Sequence, residues 1–190
     1  MKYVKGCLIQ CFIDGRFDIL IHQMNCFHNF TTGLAKSIAK AFPAVKKVDL
    51  MTPTGSRDKK FGRYSVVALE REKKVSLLVN LYSQFRTNGY FPRTSYNKMR
   101  SGLEMLRDEL LEAGYFGYRI GIPLMGCGGC GGSWFRVKEI IMDVLDPHFD
   151  VTVYLNDSSE RTVRSYRLSM GTFKGKRPYT KRDGKYYILQ

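Results

Sequence analysis

Residues 126–132, Gly126-Cys127-Gly128-Gly129-Cys130-Gly131-Gly132, hold five glycines in seven positions, between an apolar run at 118–124 and an amphipathic helical pattern after Ser133. Glycine lets consecutive backbone N–H groups turn toward one point, and the free N–H groups that open a helix add partial positive charge there. A strand, such a loop and a helix in that order can wrap a phosphate. No Lys-Ser or Lys-Thr pair follows the glycines, so this is not the phosphate loop of ATPases. The plain alternative is a flexible turn.

The rest of the chain repeats the alternation of strand and helix. Strands are expected at 18–22, 64–69, 74–81, 118–124 and 150–155. Leu34, Ile38 and Phe42 share a helical face that Pro43 stops; Tyr96, Met99, Leu103, Leu106 and Leu110 form a stripe that Gly114 closes. Val137, Ile140, Ile141, Val144 and Leu145 form a third face, ending at Pro147. Parallel neighbours need a crossover, so this order predicts an α/β fold with a largely parallel sheet covered on both sides. Ligands of such sheets bind at the carboxyl ends of the strands. A second segment leaves a strand through small residues into a helix, from His22 and Asn25 to Thr32-Gly33-Leu34-Ala35. Its free helix N–H groups suit another phosphate.

Lys and Arg number 31 against 17 Asp and Glu, a net charge of +14, which attracts polyanions and narrows the ligand class to anions. Five cysteines, an odd count in a chain this long, favour reduced thiols. Residues 1–13 carry Lys2 and Lys5 without the apolar core of a secretion signal, and no run of about 18 apolar residues occurs. A soluble, cytoplasmic protein without a membrane partner is expected, in the host cytoplasm if the gene is phage-borne. Cys127 and Cys130 lack a second pair at zinc-finger spacing, because Cys7 and Cys11 are expected on one strand, so no metal and no cofactor is expected.

These motifs together resemble macro domains. The resemblance rests on His22 through Asn25, Cys26 and Gly33-Leu34-Ala35, on the strand Asn80-Leu-Tyr-Ser-Gln84, and on Ile122-Pro123-Leu124-Met125-Gly126-Cys127-Gly128 through Trp134. Within macro domains the chain is most similar to ADP-ribose 1″-phosphate phosphatases and viral or phage "Appr-1-p processing" proteins. The likeness covers about residues 1–155. It implies a three-layer α/β/α fold with a mixed, largely parallel sheet over 1–156, and leaves 157–190 as an extension. It implies ADP-ribose or a related nucleotide as ligand. Thr32, Gly33, Leu34 and Ala35 would lie under one phosphate, and Gly126, Cys127, Gly128, Gly129, Cys130, Gly131 and Gly132 around the diphosphate and distal ribose. Asn25 would meet the distal ribose, and His22 would act as general acid or base.

Three residues depart from the family pattern. Cys7 stands where many relatives carry an adenine-contacting Asp, Gln84 where the glycohydrolase branch has a nucleophilic Lys, and Cys130 where that branch has a catalytic Asp. A glutamine cannot attack as an amine, so a lysine-adduct route is disfavoured. Phe85, Arg86, Tyr90, Phe91 and Arg93 form a loop that could cover a ligand, or an ordinary solvated loop. Three functions follow as expectations: hydrolysis of an ADP-ribosyl phosphate or linkage, binding without turnover, and nucleic-acid binding through the basic extension, where 179–188 reads as a hairpin turning at Asp183-Gly184.

Overall fold

The computed structural model describes residues 1–71, 74–90, 92–156, 179–182 and 185–188. Along the chain run β1 (Lys2–Lys5), α1 (Leu8–Ile13), β2 (Ile19–Asn25), α2 (Gly33–Ala41), α3 (Pro43–Leu50), β3 (Tyr64–Glu70) and β4 (Val75–Gln84). Then come α4 (Tyr96–Glu112), β5 (Arg119–Ile122), α5 (Trp134–Val144), β6 (Asp150–Leu155), β7 (Tyr179–Arg182) and β8 (Lys185–Ile188). Six strands form one sheet in the order β1-β6-β5-β2-β4-β3. All its pairings are parallel except β3 with β4. The mixed, largely parallel sheet is as expected, and the antiparallel β3 needs no crossover helix because it returns directly into β4.

Side-chain alternation divides the core into two apolar layers. Ile19, Ile21, Val79, Leu81 and Ile120 pack under α4 and α5. Leu20, Met24, Leu78 and Tyr82 pack on the other face under α1, α2 and α3. Each fully buried side chain of this size contributes roughly 1.5–3 kcal/mol. Trp134 belongs to the first layer: its indole N–H donates to the Tyr3 hydroxyl at 3.1 Å and ties α5 to β1.

Two short helices were not anticipated. Proline ends α2 as expected, but it also starts α3 as its first residue, where its missing N–H costs nothing. Helix α1 takes Cys11 into a turn with Cys7 as its N-cap, so the two cysteines do not share a strand. Strands β7 and β8 pair antiparallel, with Arg182 opposite Lys185, and the expected turn at Asp183-Gly184 lies outside the described residues. The rest of 157–190, on which the expected extension domain depends, lies outside the described residues.

Asp18 locks the amino-terminal edge of the sheet. Its carboxylate accepts the Arg119 backbone N–H at 2.9 Å, the Arg119 guanidinium at 2.9 and 3.1 Å, and the Lys74 ammonium at 2.6 Å. Burial pushes the Asp18 pKa up, but the hydrogen bonds from Arg119 and Lys74 outweigh it and hold the pKa at about 2. A folded-state pKa below the unfolded value stabilises the fold above that unfolded value, near 4, and the gain is lost as pH falls toward 2. Asp18→Asn is expected to cost about 1–2 kcal/mol at neutral pH, discounted because both cations are partly in water. Urea unfolding across pH checks this: the difference from the parent should shrink between about pH 5 and pH 2.

Candidate functional site

The carboxyl ends of β1, β6, β5, β2 and β4 open onto one cleft of about 1050 Å³. Of the residues singled out in the sequence, Cys7, His22, Asn25 and Gln84 line it, as do Thr32-Gly33-Leu34-Ala35 at the start of α2. Gly126, Gly128, Gly129 and Cys130 line it from the loop after β5. Cys127, Gly131 and Gly132 do not. The Cys127 thiol is buried, donates to the Met125 carbonyl at 3.0 Å, and is pushed up to about 12 by desolvation. Gly131 and Gly132 spend their N–H groups inside the loop, on the carbonyls of Gly128 at 2.9 Å and Gly126 at 2.8 Å.

Those internal bonds shape the donors that remain. Among the described residues the N–H groups of Gly128, Gly129 and Cys130 have no protein partner. The carbonyls of this stretch are held instead: the Arg93 guanidinium donates to Gly129, and the Arg93 N–H donates to Cys130 at 2.8 Å. Thr94 fixes the loop's entry by donating from its hydroxyl to the Gly126 carbonyl at 2.9 Å. Gly126 sits at φ +71°, and a Cβ there would come within 2.6 Å of the Thr94 Oγ1. At Gly132 a Cβ would meet the Gly126 carbonyl at 2.5 Å. These two glycines are therefore needed for the loop's own packing, whereas at Gly128 and Gly129 a Cβ would meet only open space.

The second loop is organised by amides. Asn25 Oδ1 accepts the N–H groups of Phe27 at 2.9 Å and Asn29 at 3.2 Å, while its Nδ2 donates to the Asn29 carbonyl at 2.9 Å. Asn29 in turn accepts the N–H of Thr31 at 3.0 Å. Thr32 then caps α2 in an extended conformation without spending its side chain on the helix, so the first N–H groups of α2 remain at the cleft wall. Gln84 Nε2 donates to the Arg86 carbonyl at 2.6 Å, and its Oε1 accepts from the Cys130 thiol at 3.2 Å, which joins the two sides of the cleft.

His22 touches the cleft with almost none of its surface. It is 1% exposed, on the same strand face as Leu20 and Met24. Its Nε2 lies 2.7 Å from Asn80 Oδ1, and Asn80 Nδ2 donates to the Val45 carbonyl at 3.2 Å and to Ser65 Oγ at 3.1 Å. The amide oxygen is thus turned to the ring, and Nε2 carries the hydrogen. Burial lowers the His22 pKa to about 4, against the opposing pull of Asn80 and Asp49, so the ring is neutral near pH 7.

The pocket's charge is one-sided. Lys5 and Arg93 are the only charged residues lining it among the described residues, and no Asp or Glu does so. Its two ends differ in chemistry. The β1–β6 end offers Leu8, Ile9 and Leu155 beside Cys7; the β4 end offers Asn25, Asn29, Gln84 and Thr87. Asn29 and Thr94 carried no expectation; both precede a helix entry, which is the signal that marks residues spending a side chain on loop geometry. Phe91 lies outside the described residues. No group of His, Cys, Asp and Glu that could hold a metal occurs among the described residues, and no described helix is long and apolar enough to cross a membrane.

No family model matches the chain. It is 29% identical over 148 residues, 78% of its own length and 89% of the other's, to an uncharacterized 17.5 kDa protein from the tk-vs intergenic region of Enterobacteria phage T4. Among solved structures it is similar to the macrodomain of Mycobacterium tuberculosis DarG, with a TM-score of 0.62 at 17% identity, over 78% of this chain and 93% of that one. It is likewise similar to Thermosipho africanus DarTG in complex with ADP-ribose, with a TM-score of 0.64 at 18% identity, over 83% of this chain and 42% of that one. A Trypanosoma brucei macrodomain in complex with ADP aligns at a TM-score of 0.54 and 12% identity, over 89% of this chain and 68% of that one. The fold is the three-layer α/β/α fold of macrodomains.

Gly132→Ala is expected to lower stability by about 1–3 kcal/mol, because the nearest atom its Cβ would meet, the Gly126 carbonyl oxygen at 2.5 Å, is backbone and the Thr94 side chain stands behind it at 3.1 Å. Gly129→Ala should stay within about 0.5 kcal/mol of the parent. Thermal unfolding of the two variants side by side checks the contrast.

Proposed function

We propose that the cleft binds ADP-ribose or a closely related diphosphate nucleotide, and that this binding is the protein's primary activity. The observation that carries the reading is the pair of N–H cradles, at Gly128–Cys130 and at the start of α2, lining one cleft without a carboxylate. A diphosphate needs many donors and no competing negative charge, and backbone donors fixed by Arg93 and Thr94 lose little freedom when it binds. Sheet order sets these cradles, after β5 and β2, between the two ends of the cleft. The apolar β1–β6 end suits a base, and the amide- and hydroxyl-rich β4 end suits a ribose. Macrodomains of the same fold in complex with ADP-ribose and with ADP support the same ligand class.

Hydrolysis of ADP-ribose 1″-phosphate or another ADP-ribosyl linkage is the finer form of this reading, with His22 and Asn25 at the reacting end. The residues weigh against it. A general base must reach the water it activates, and the Nε2 of His22 is committed to Asn80 in a ring buried to 1% exposure. Asn25 has both faces of its oxygen occupied by loop N–H groups. Binding without turnover therefore takes precedence.

Gly128→Val and Gly129→Val test the proposal directly, since both positions line the cleft and a Cβ at either meets nothing within 4 Å. Calorimetry should show ADP-ribose binding to the parent and a loss of at least about tenfold, or 1.4 kcal/mol, in either variant, with unfolding temperatures unchanged. No heat from the parent with ADP-ribose, ADP or the 1″-phosphate would overturn it. Phosphate release from the 1″-phosphate that disappears in a folded His22→Gln variant would establish the hydrolytic form instead.

A further inference from the structure

Beside the β4 end of the cleft, outside its lining, three aromatic rings stack with basic side chains. Phe27 and Phe85 meet edge to face with centroids 5.4 Å apart, and Phe61 lies 5.4 Å from Phe85. The Arg57 guanidinium sits over the Phe85 ring at 4.0 Å, and that of Arg86 stands 5.6 Å from both Phe27 and Phe85. Lys98 reaches over Phe61 at 5.7 Å. Arg57 and Arg86 are exposed, and Phe27 keeps 40% of its surface in solvent. Exposed Lys59 and Arg63 extend the positive charge, and Asp58 is the carboxylate within this run. The patch is continuous with the cleft through its own chain: Phe27 lies between Asn25 and Asn29, and Arg86 between Gln84 and Thr87, four residues that line the cleft.

We propose that this patch is a binding surface for a single-stranded nucleic acid, whose phosphates pair with Arg57 and Arg86 and one of whose bases stacks on Phe27. A guanidinium held over a ring keeps its N–H groups available to phosphate oxygens while the ring limits its motion. An acidic protein surface would use the cations and leave the exposed ring idle. A strand alternates phosphate and base and uses both, and sequence-tolerant stacking of this kind is how single strands are held. The patch rests on observations independent of the cleft's ligand, so the two readings stand or fall separately.

The test is fluorescence anisotropy of labelled single strands of about 12 nucleotides, as DNA and as RNA, with the full-length chain. The parent should bind at least one of them at about 50 mM salt, with affinity falling steeply toward about 200 mM. Arg57→Ser/Arg86→Ser should weaken binding by at least about tenfold and reduce the salt slope by about 1.4, two phosphate contacts' worth for a single strand. Its unfolding temperature and its ADP-ribose affinity should match the parent's. Phe27→Leu should weaken strand binding with little change in salt slope. A companion variant with Lys174, Lys176 and Arg177 changed to serine separates the patch from the basic C-terminal stretch. Three results would overturn the proposal: no strand binding by the parent, loss of binding in the C-terminal variant while the Arg57/Arg86 variant binds normally, or equal binding of a polyglutamate peptide.

Discussion

The buried carboxylate of Asp49 is the interaction on which the cleft's second loop depends. It accepts from Lys60 at 2.9 Å and from the Tyr82 hydroxyl at 2.7 Å, and its other oxygen lies 2.7 Å from His28 Nδ1. Asp49 and Lys60 are both wholly buried, so neither charge is tolerable without the other. His28 Nε2 reaches Thr54 Oγ1 at 2.7 Å, and His28 itself adopts φ +56°, a conformation that disfavours any side chain. Two hydrogen-bond partners hold it there. Since His28 sits inside the loop that Asn25 shapes, these bonds tie that loop to Asp49 of α3 and to Thr54 just beyond it.

The same network explains what His22 does. From Asp49 the hydrogen bonds pass to Tyr82, then Ser65 at 2.7 Å, then Asn80 and His22. Every member lies on the α1–α3 side of the sheet, where an unpaired polar atom would be costly, and each satisfies the next. A neutral imidazole closes that chain without bringing a charge into it. The histidine is therefore the last link of a hydrogen-bonded network that ends at the cleft wall.

Sequence reasoning reached the parts of this molecule that local pattern encodes. Glycine density announced the loop after β5, and apolar periodicity found α2, α4, α5 and most of the sheet. It missed α1 and α3 because six and eight residues hold too few turns for a stripe to stand out. It could not see the Asp49 network, whose partners lie 11, 21 and 33 residues apart along the chain. Spacing of that kind is set by the tertiary fold alone. For His22 a signal was present: strand alternation puts it with Leu20 and Met24, facing the interior layer. Position at a strand's end drew attention to chemistry, and the face it shares argued for packing. In the glycine loop, composition could not tell the glycines that make the loop, Gly126 and Gly132, from those that leave room for a ligand, Gly128 and Gly129; only the neighbours of a missing Cβ separate them.

The distribution of carboxylates gives the sheet a direction. Asp18 sits before β2, Asp146 before β6 where it pairs with the amino terminus at 2.7 Å, and Asp150 opens β6 where it pairs with Lys2 at 2.7 Å. All three lie toward the amino-terminal edge of the strands. The opposite edge holds the cleft, with Lys5 and Arg93 and no acid among its described lining residues. The net charge of +14 over the whole chain attracts an approaching anion, and no carboxylate among the cleft's described lining residues opposes it. Strand direction adds to it, because helices that follow parallel strands present their N–H ends there. The acids that brace the sheet thus lie at the edge away from the cleft, and the cleft is left without a carboxylate among its described lining residues.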